Sequence, residues 1–409
     1  MSSTDASPDR RLPASIWALG VASLCMDTSS ELIHSLLPVF MATTLGASML
    51  TIGLVEGLAE ATASITKVFS GALSDFLRRR KFLLVLGYGL AAITKPVFPL
   101  ATSIGWVFAA RFVDRIGKGI RDAPRDALVA DITPPELRGA AYGLRQALDS
   151  VGAFLGPLLA LILLSVFADS IPAAMWFAVI PAAITVIVLI VGVREPAPRS
   201  TGEALRPPPT FADARRLPRR FWLVVLLGAV FTLARFSEAF LVLRAQNVGL
   251  PLAAVPLVMM VMNVVYAAGA YPAGAAADRC SARTLLLIGL GFLIGADLLL
   301  ALATSPAAAL AGAALWGLYL AGTQGLLSKL VADTAPLDLR GSSFGIFNLV
   351  SGVSLLLASV IAGGLWTTLG PSATFFVGAT FAAIAAIGLW GAGSSESRTA
   401  GDWSVVRRQ

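Results

Sequence analysis

The chain has 409 residues, of which 56% are apolar and only 13% charged, and a mean hydropathy of +0.79; this balance excludes an ordinary water-soluble globular protein. A formal charge of +7 does not mark a nucleic-acid binder, because the basic residues are spread over alternate connections and form no single patch. One histidine and two cysteines cannot furnish a soft-metal site, and Cys25 and Cys280 fall in opposite halves, so no disulfide is expected.

A helix needs about 20 apolar residues to cross a bilayer. Spans are expected at 15–41, 48–73, 82–102, 105–129, 140–168, 172–193, 220–245, 252–276, 284–304, 306–331, 342–368 and 372–392. They must be helices, since lipid offers backbone amides no partners and the period-2 pattern of a membrane barrel is missing. No small-residue cleavage site follows a short apolar core, so a removed signal peptide is not expected. Nearly all basic residues outside the spans lie in every second connection, from Arg10 and Arg11 through Arg78–Lys81, Arg138 and the 194–220 stretch to Arg407 and Arg408. Both termini are therefore expected on the cytoplasmic side of the cell inner membrane.

The first span places Asp27, Glu31 and His34 at i, i+4 and i+7, on one face, with Pro38 expected to bend the helix beyond them. In the second, Glu56 and Glu60 share a face with Lys67. The connection that follows holds Gly71, Asp75, Arg79 and Arg80. A carboxylate at a helix end beside an arginine cluster can latch one conformation and release another, although simple basic anchoring gives the same pattern.

The fourth span carries Arg111, Asp114, Arg115, Lys118, Arg121, Asp122, Arg125 and Asp126. At 100° per residue these occupy an arc of roughly 140°. Each such group at mid-bilayer costs several kcal/mol, so the stripe must face water or protein. Asp114 with Lys118 and Asp122 with Arg125 can neutralise each other along the helix. Arg115, Lys118 and Arg121 are expected to face a cavity and, with Glu60, to bind solute. Counting about 1.5 Å per residue sets Asp27 and Glu31 at the depths of Lys118 and Arg115. A carboxylate facing a fixed cation can exchange a proton when its partner is removed, so Asp27, Glu31 and His34 are expected proton-coupling groups. A permanent ion pair between helices is the structural alternative.

The fifth span contains Gly152-Ala153-Phe154-Leu155-Gly156-Pro157, in which small residues four apart permit close helix approach. Two further pairs, Arg145 with Asp149 and Arg235 with Glu238, are spaced to neutralise themselves within their helices. In the second half the fourth-span stripe is replaced by uncharged Trp316, Gly317, Leu320 and Thr323. That half is expected to bind solute by stacking and hydrogen bonding through Asn263, Tyr266, Trp316, Tyr319 and Gln324.

A long repeat ties these spans together. Leu128-Val129-Ala130-Asp131, Pro134 and Leu137-Arg138-Gly139 recur about 202 residues later as Leu330-Val331-Ala332-Asp333, Pro336 and Leu339-Arg340-Gly341. Gly71, Asp75 and Arg80 recur as Gly274, Asp278 and Arg283. The chain is thus expected to be all-α, with twelve transmembrane helices in two parallel six-helix pseudo-repeats at 1–193 and 220–393. A cytoplasmic linker at 194–219 joins them and a tail at 394–409 ends the chain. Parallel halves of this kind place solute between them near the midplane.

Several of these residues resemble a known family. Gly71-Ala72-Leu73-Ser74-Asp75-Phe76-Leu77-Arg78-Arg79-Arg80 is similar to the loop signature of the major facilitator superfamily, and Gly274-Ala275-Ala276-Ala277-Asp278-Arg279 to its weaker second copy. Arg111-Phe112-Val113-Asp114-Arg115-Ile116-Gly117 resembles the fourth-helix motif, and Gly152 to Pro157 the fifth-helix antiporter signature. The resemblance implies a gating role for Gly71, Asp75, Arg79, Arg80, Gly274, Asp278 and Arg283 and for Gly152, Gly156 and Pro157. It also implies proton transfer at Arg111. Asp114 and Arg115 depart from the motif, where an uncharged pair is commoner, and favour a cavity selective for charge.

The expected function is secondary active transport by alternating access, with a small charged or amphipathic organic solute leaving against protons. The expected partners are that small-molecule substrate, protons and the lipid bilayer; a monomer is expected, with no cofactor, no nucleic acid and no enzymatic activity. No GxxxxGK[ST] loop is present for ATP-driven pumping. Proton symport importing an anionic metabolite is the alternative, followed by a ferroportin-like metal exporter, which the scarcity of His and Cys disfavours.

Overall fold

The computed structural model describes residues 12–77, 79–195, 216–277, 280–336 and 339–405. Most of the expected linker, Arg78, Asp278, Arg279 and the side chain of Asp75 lie outside what is described.

The first half comprises α1 (Ala14–Val39), α2 (Met49–Leu77), α3 (Arg80–Thr94), α4 (Val97–Leu100), α5 (Ile104–Ile132), α6 (Arg138–Val166), α7 (Ile171–Trp176) and α8 (Val179–Gly192). The second comprises α9 (Arg219–Leu233), α10 (Ala239–Asn247), α11 (Leu257–Ala277), α12 (Ala282–Leu302), α13 (Pro306–Thr334), α14 (Arg340–Leu369) and α15 (Pro371–Val405). Paired as α3–α4, α7–α8 and α9–α10, these helices make twelve passes, and no strand occurs among the described residues.

Three expected spans are interrupted. Pro96 has no amide to continue α3, and the Lys95 amide turns back to Ala92 O. Pro181 clashes with the carbonyl four residues earlier, so the sixth pass breaks at Phe177 and Ala178. The seventh pass has no such cause. It is non-helical from 234 to 238 although neither Pro nor Gly lies there; the Ser237 amide donates to Ser359 Oγ on α14 at 3.1 Å, and Ser237 Oγ accepts from Ala239 N at 3.3 Å. In the first pass Pro38 is followed by a π-helical turn, Phe40–Thr44, closed by Leu45 N to Phe40 O. The last helix continues to Val405, past the expected end at 392, since no proline stops it.

Eight passes among the described residues are long and apolar enough to cross a bilayer. The remaining four, α1, α2, α5 and α9–α10, carry most of the ionisable groups at depth; Lys95 and Asp297 lie buried in apolar passes. Lipid cannot solvate those groups, so the four polar passes must turn them toward one another.

Packing shows how they do so. Within the first half α1 packs on α6 and α8, and α5 on α2 and α3; within the second, α13 packs on α11 and α12, and α12 on α15. The halves meet through α2 against α14, α6 against α11 and α1 against α10. Away from the face bearing the arginine-rich connections, one apolar core runs through both halves, from Leu36, Phe40 and Ile52 to Phe240, Leu243 and Trp366. At the basic face the core divides: Ile16, Leu84, Leu128 and Leu189 form a cluster within the first half, and Phe221, Val225 and Val331 one within the second. The halves thus share one apolar core at one end and carry separate cores toward the basic end, where α2 still meets α14 through Val68 and Gly345.

Candidate solute and proton site

A cavity of about 230 Å³ lies between the two halves. Glu31 and His34 of α1, Glu60 of α2, and Arg115 and Lys118 of α5 form its first-half wall. Arg235, Phe236, Ser237 and Glu238 form the opposing wall, together with Gln324 of α13 and Leu355 of α14. All its charged groups come from the four passes too polar for the bilayer.

The first-half wall is a chain of ionisable groups. His34 stands between two carboxylates, with Nδ1 3.5 Å from Glu31 Oε2 and Nε2 3.8 Å from Glu56 Oε2. Arg111 Nη2 donates to Glu56 Oε2 at 2.8 Å, and both residues are buried. Arg115 Nη1 lies 3.3 Å from Glu60 Oε1, whose other neighbour, Arg111 Nη2, is 4.0 Å away. Close contacts therefore link Glu31 at the cavity surface to the Glu56–Arg111 pair behind it. Such pairs break only at considerable cost when one partner is lost, yet can exchange partners when a new ion enters.

The fourth-span stripe divides between two surroundings. Arg115 and Lys118 face the cavity. Asp114 does not pair along its own helix with Lys118; its Oδ1 accepts from Lys95 Nζ at 2.9 Å, and the same ammonium donates to Ser30 Oγ at 3.0 Å. Arg121 sits over the Tyr88 ring of α3, 4.5 Å from its centroid. On a helix Arg115 and Arg121 are separated by about 120°, wide enough for one to line a cavity and the other to face α3. Lys95 went unnoticed in the sequence because it sits beside Pro96 at a helix break, outside any periodic stripe.

Other expected pairings also differ. Arg145 lies 3.5 Å from Asp149, as its spacing implies, but also 3.1 Å from Asp126 of α5; Arg125 turns to Asp149 and donates to Ser23 Oγ at 2.7 Å. Arg235 and Glu238 do not neutralise each other: among the described residues neither has an ion-pair partner within 4.0 Å, because the break in the helix removes their i, i+3 alignment. Asp27 packs against the Gly152 backbone and does not line the cavity.

In the second half Gln324 lines the cavity and accepts from Tyr266 Oη at 3.4 Å. Asn263 spans the halves, its Nδ2 donating to Ala153 O at 3.1 Å. Trp316 and Tyr319 are buried to one side: Trp316 packs on Phe236 at 5.3 Å between centroids and on Tyr319 at 6.4 Å, and neither lines the cavity. Asp297 of α12, buried with both carboxyl oxygens unpartnered, is a residue to which nothing in the structure gives a role.

The sequence model of the Major Facilitator Superfamily matches residues 19–262 and 238–403. The chain belongs to the major facilitator superfamily. An uncharacterized MFS-type transporter of Methanocaldococcus jannaschii, MJ1317, is 33% identical over 387 residues, covering 93% of this chain and 95% of the relative. Multidrug resistance protein MdtH of Photorhabdus laumondii is 29% identical over 127 residues, 31% of either chain. Among solved structures, a mutant of the nucleoside transporter NupG superposes with a TM-score of 0.78 at 13% identity, covering 92% of this chain and 99% of that one. A bacterial homologue of the lysosomal transporter Spinster, inward-facing and unoccupied, gives 0.72 at 17% identity, with 94% and 97% covered. At these identities the structures speak to the fold.

The superfamily motifs fall on identifiable contacts. Arg79 precedes α3, and Arg80 pairs with Asp131, the aspartate of the long repeat at the end of α5, while its amide donates to Glu195 Oε1 at 2.5 Å. Gly71 approaches Ala123 of α5, where a Cβ would lie 3.6 Å from its methyl group. In the second half Gly274 meets nothing within 4 Å, and Arg283 donates to Trp390 O and lies against its ring. Gly152 and Gly156 set α6 directly against α1: a Cβ on Gly156 would stand 2.7 Å from Glu31 Cβ, Leu32 N and Thr28 O. Pro157 follows and is buried.

Proposed function

We propose that this member of the superfamily is a proton-coupled antiporter that moves a small charged or amphipathic organic solute out of the cell. Both termini and the arginine-rich connections then lie in the cytoplasm, the cavity opens inward, and the cell inner membrane is its site. The observation that carries the reading is the contact chain Glu31–His34–Glu56–Arg111 reaching the cavity from buried ground. A charged solute and a proton compete for the carboxylates that line one cavity, and that competition is the chemical requirement of antiport. The likeness to MdtH over 127 residues supports outward transport. Alternating access proceeds as the shared apolar core parts at one end and the two separate clusters close at the other.

Reconstituted vesicles test this. With the pH indicator pyranine trapped inside and a panel of charged metabolites and antibiotics outside, an antiporter releases protons into the medium as solute enters. Glu31→Gln and Asp27→Asn should abolish pH-driven flux while solute-for-solute exchange survives at least in part. Unchanged pH-driven flux in both variants removes these carboxylates from coupling, and solute that moves with protons reverses the assignment to symport.

A further inference from the structure

The unexplained break in the seventh pass offers more than a hinge. A non-helical stretch at membrane depth leaves backbone groups without helical partners, and it is tolerated only where protein or water compensates. Here it also separates Arg235 from Glu238, which a continuous helix would bring within ion-pairing reach. The stretch is held in that form by the Ser237 amide donating to Ser359 Oγ. Two opposite charges are thereby kept unpaired, three residues apart, on the wall of one cavity.

Across the cavity the cation without a partner is Lys118, which among the described residues makes no ion pair within 4.0 Å; Arg115 is engaged by Glu60. A simple anion in this space satisfies Arg235 and Lys118 and leaves Glu238 uncompensated. A simple cation does the reverse. A solute bearing both charges leaves neither deficit, and an uncompensated charge in a partly dry site is what weakens binding most. The cavity volume is about 230 Å³. That is below the range of about 300–1,000 Å³ usual for drug-sized ligands. Phe236 and Leu355 supply the lining's apolar contacts.

Resting on the reading of this cavity as the solute site, we propose that the transported solute is a small zwitterion of amino-acid or dipeptide size. Its carboxylate docks between Arg235 and Lys118, and its ammonium group docks on Glu238. The break in the seventh pass is the recognition element, and the two halves are drawn together through the carboxylate that their cations share.

Equilibrium binding to the purified full-length chain in detergent, by isothermal titration, tests this with no pH gradient. The probes are a panel of amino acids and dipeptides, each in its free form, as the C-terminal amide and as the N-acetyl derivative. At least one free zwitterion should bind, with each blocked form about tenfold weaker or more. Arg235→Gln should erase the preference over the amide while keeping that over the N-acetyl form; Glu238→Gln should do the opposite. If Arg235→Gln fails to fold, Arg235→Lys, which keeps the charge and loses the fork, and Glu238→Gln carry the same comparison. Binding of blocked and free forms with equal affinity, binding by no member of the panel, or Glu238→Gln leaving both preferences intact overturns the proposal. Zwitterion selectivity without pH-driven counterflow in vesicles would overturn antiport and leave this assignment standing; counterflow without selectivity would do the reverse.

Discussion

Gly156→Ala is the substitution on which the geometry of the site is most exposed to test. The methyl group would meet Glu31 Cβ, Leu32 N and Thr28 O, each at 2.7 Å, and two of the three are backbone atoms of α1 that no rotamer change can move. Helices α1 and α6 must open by about 0.7 Å before those contacts reach ordinary van der Waals spacing. Overpacking of this kind costs about 1–3 kcal/mol, against a gain of about 0.5–1 kcal/mol from replacing Gly by Ala within a helix. Gly143→Ala, in the same helix, keeps the gain without the clash, since a Cβ there meets nothing within 4 Å. Thermal unfolding in detergent should therefore place Gly156→Ala below wild type and Gly143→Ala at or above it, with about 1–3 kcal/mol between the two variants. Because Glu31 rides on the displaced turn, proton-driven flux should fall in Gly156→Ala alone. Equal unfolding midpoints for the two alanine variants would show that α1 and α6 do not touch at this point and would withdraw the placement of Glu31.

The Lys95–Asp114 pair is buried, so Lys95→Met or Asp114→Leu alone should destabilise by about 3–5 kcal/mol, while the double substitution should recover most of that loss in the same unfolding assay. Cavity access follows from the divided core. In a background with both native cysteines replaced, Lys118→Cys and Gln324→Cys should react with a membrane-impermeant maleimide only from the side that labels the exposed native Cys280, and Leu36→Cys, fully buried in the core the halves share, should not react at all. Labelling of Lys118→Cys from the opposite side would place the opening at the wrong end.

The passes were legible because lipid enforces length and apolarity, and the long repeat is written in residues that cluster at helix ends, such as Asp131 and Arg138. The inward turn of Glu31, Glu60, Arg115 and Lys118 followed from the same physics, since a charge facing lipid is too costly to keep. Partnerships were far less legible. Periodicity reports which face a residue occupies on its own helix and nothing about what another helix presents there, so spacing offers Asp114 a partner in Lys118, whereas its partner is Lys95, just past the end of α3. The same limit hid the Glu56–Arg111 and His34–Glu56 contacts, each of which joins separate passes. The break at 234–238 left no mark on local propensity, having neither Pro nor Gly; its hydroxyl partner, Ser359, is 122 residues away in sequence. Pro38 did announce a distortion, and the π-helical turn stands immediately beyond it.

A single constraint links the polar passes to the broken one. Most ionisable groups at membrane depth face one another, and those of α1, α2, α5 and α9–α10 turn to the interior, where they supply the cavity's charged lining. Had all those charges been neutralised pairwise, the interior would be a closed electrostatic core with no reason to bind anything. On the first-half wall Arg115 is matched by Glu60 and Glu31 by His34, whereas Lys118 and the separated Arg235 and Glu238 are left unmatched, one on one side and two on the other. The imbalance thus falls where the halves face each other, so on the proposed reading an ion in the cavity gains most by touching both halves at once.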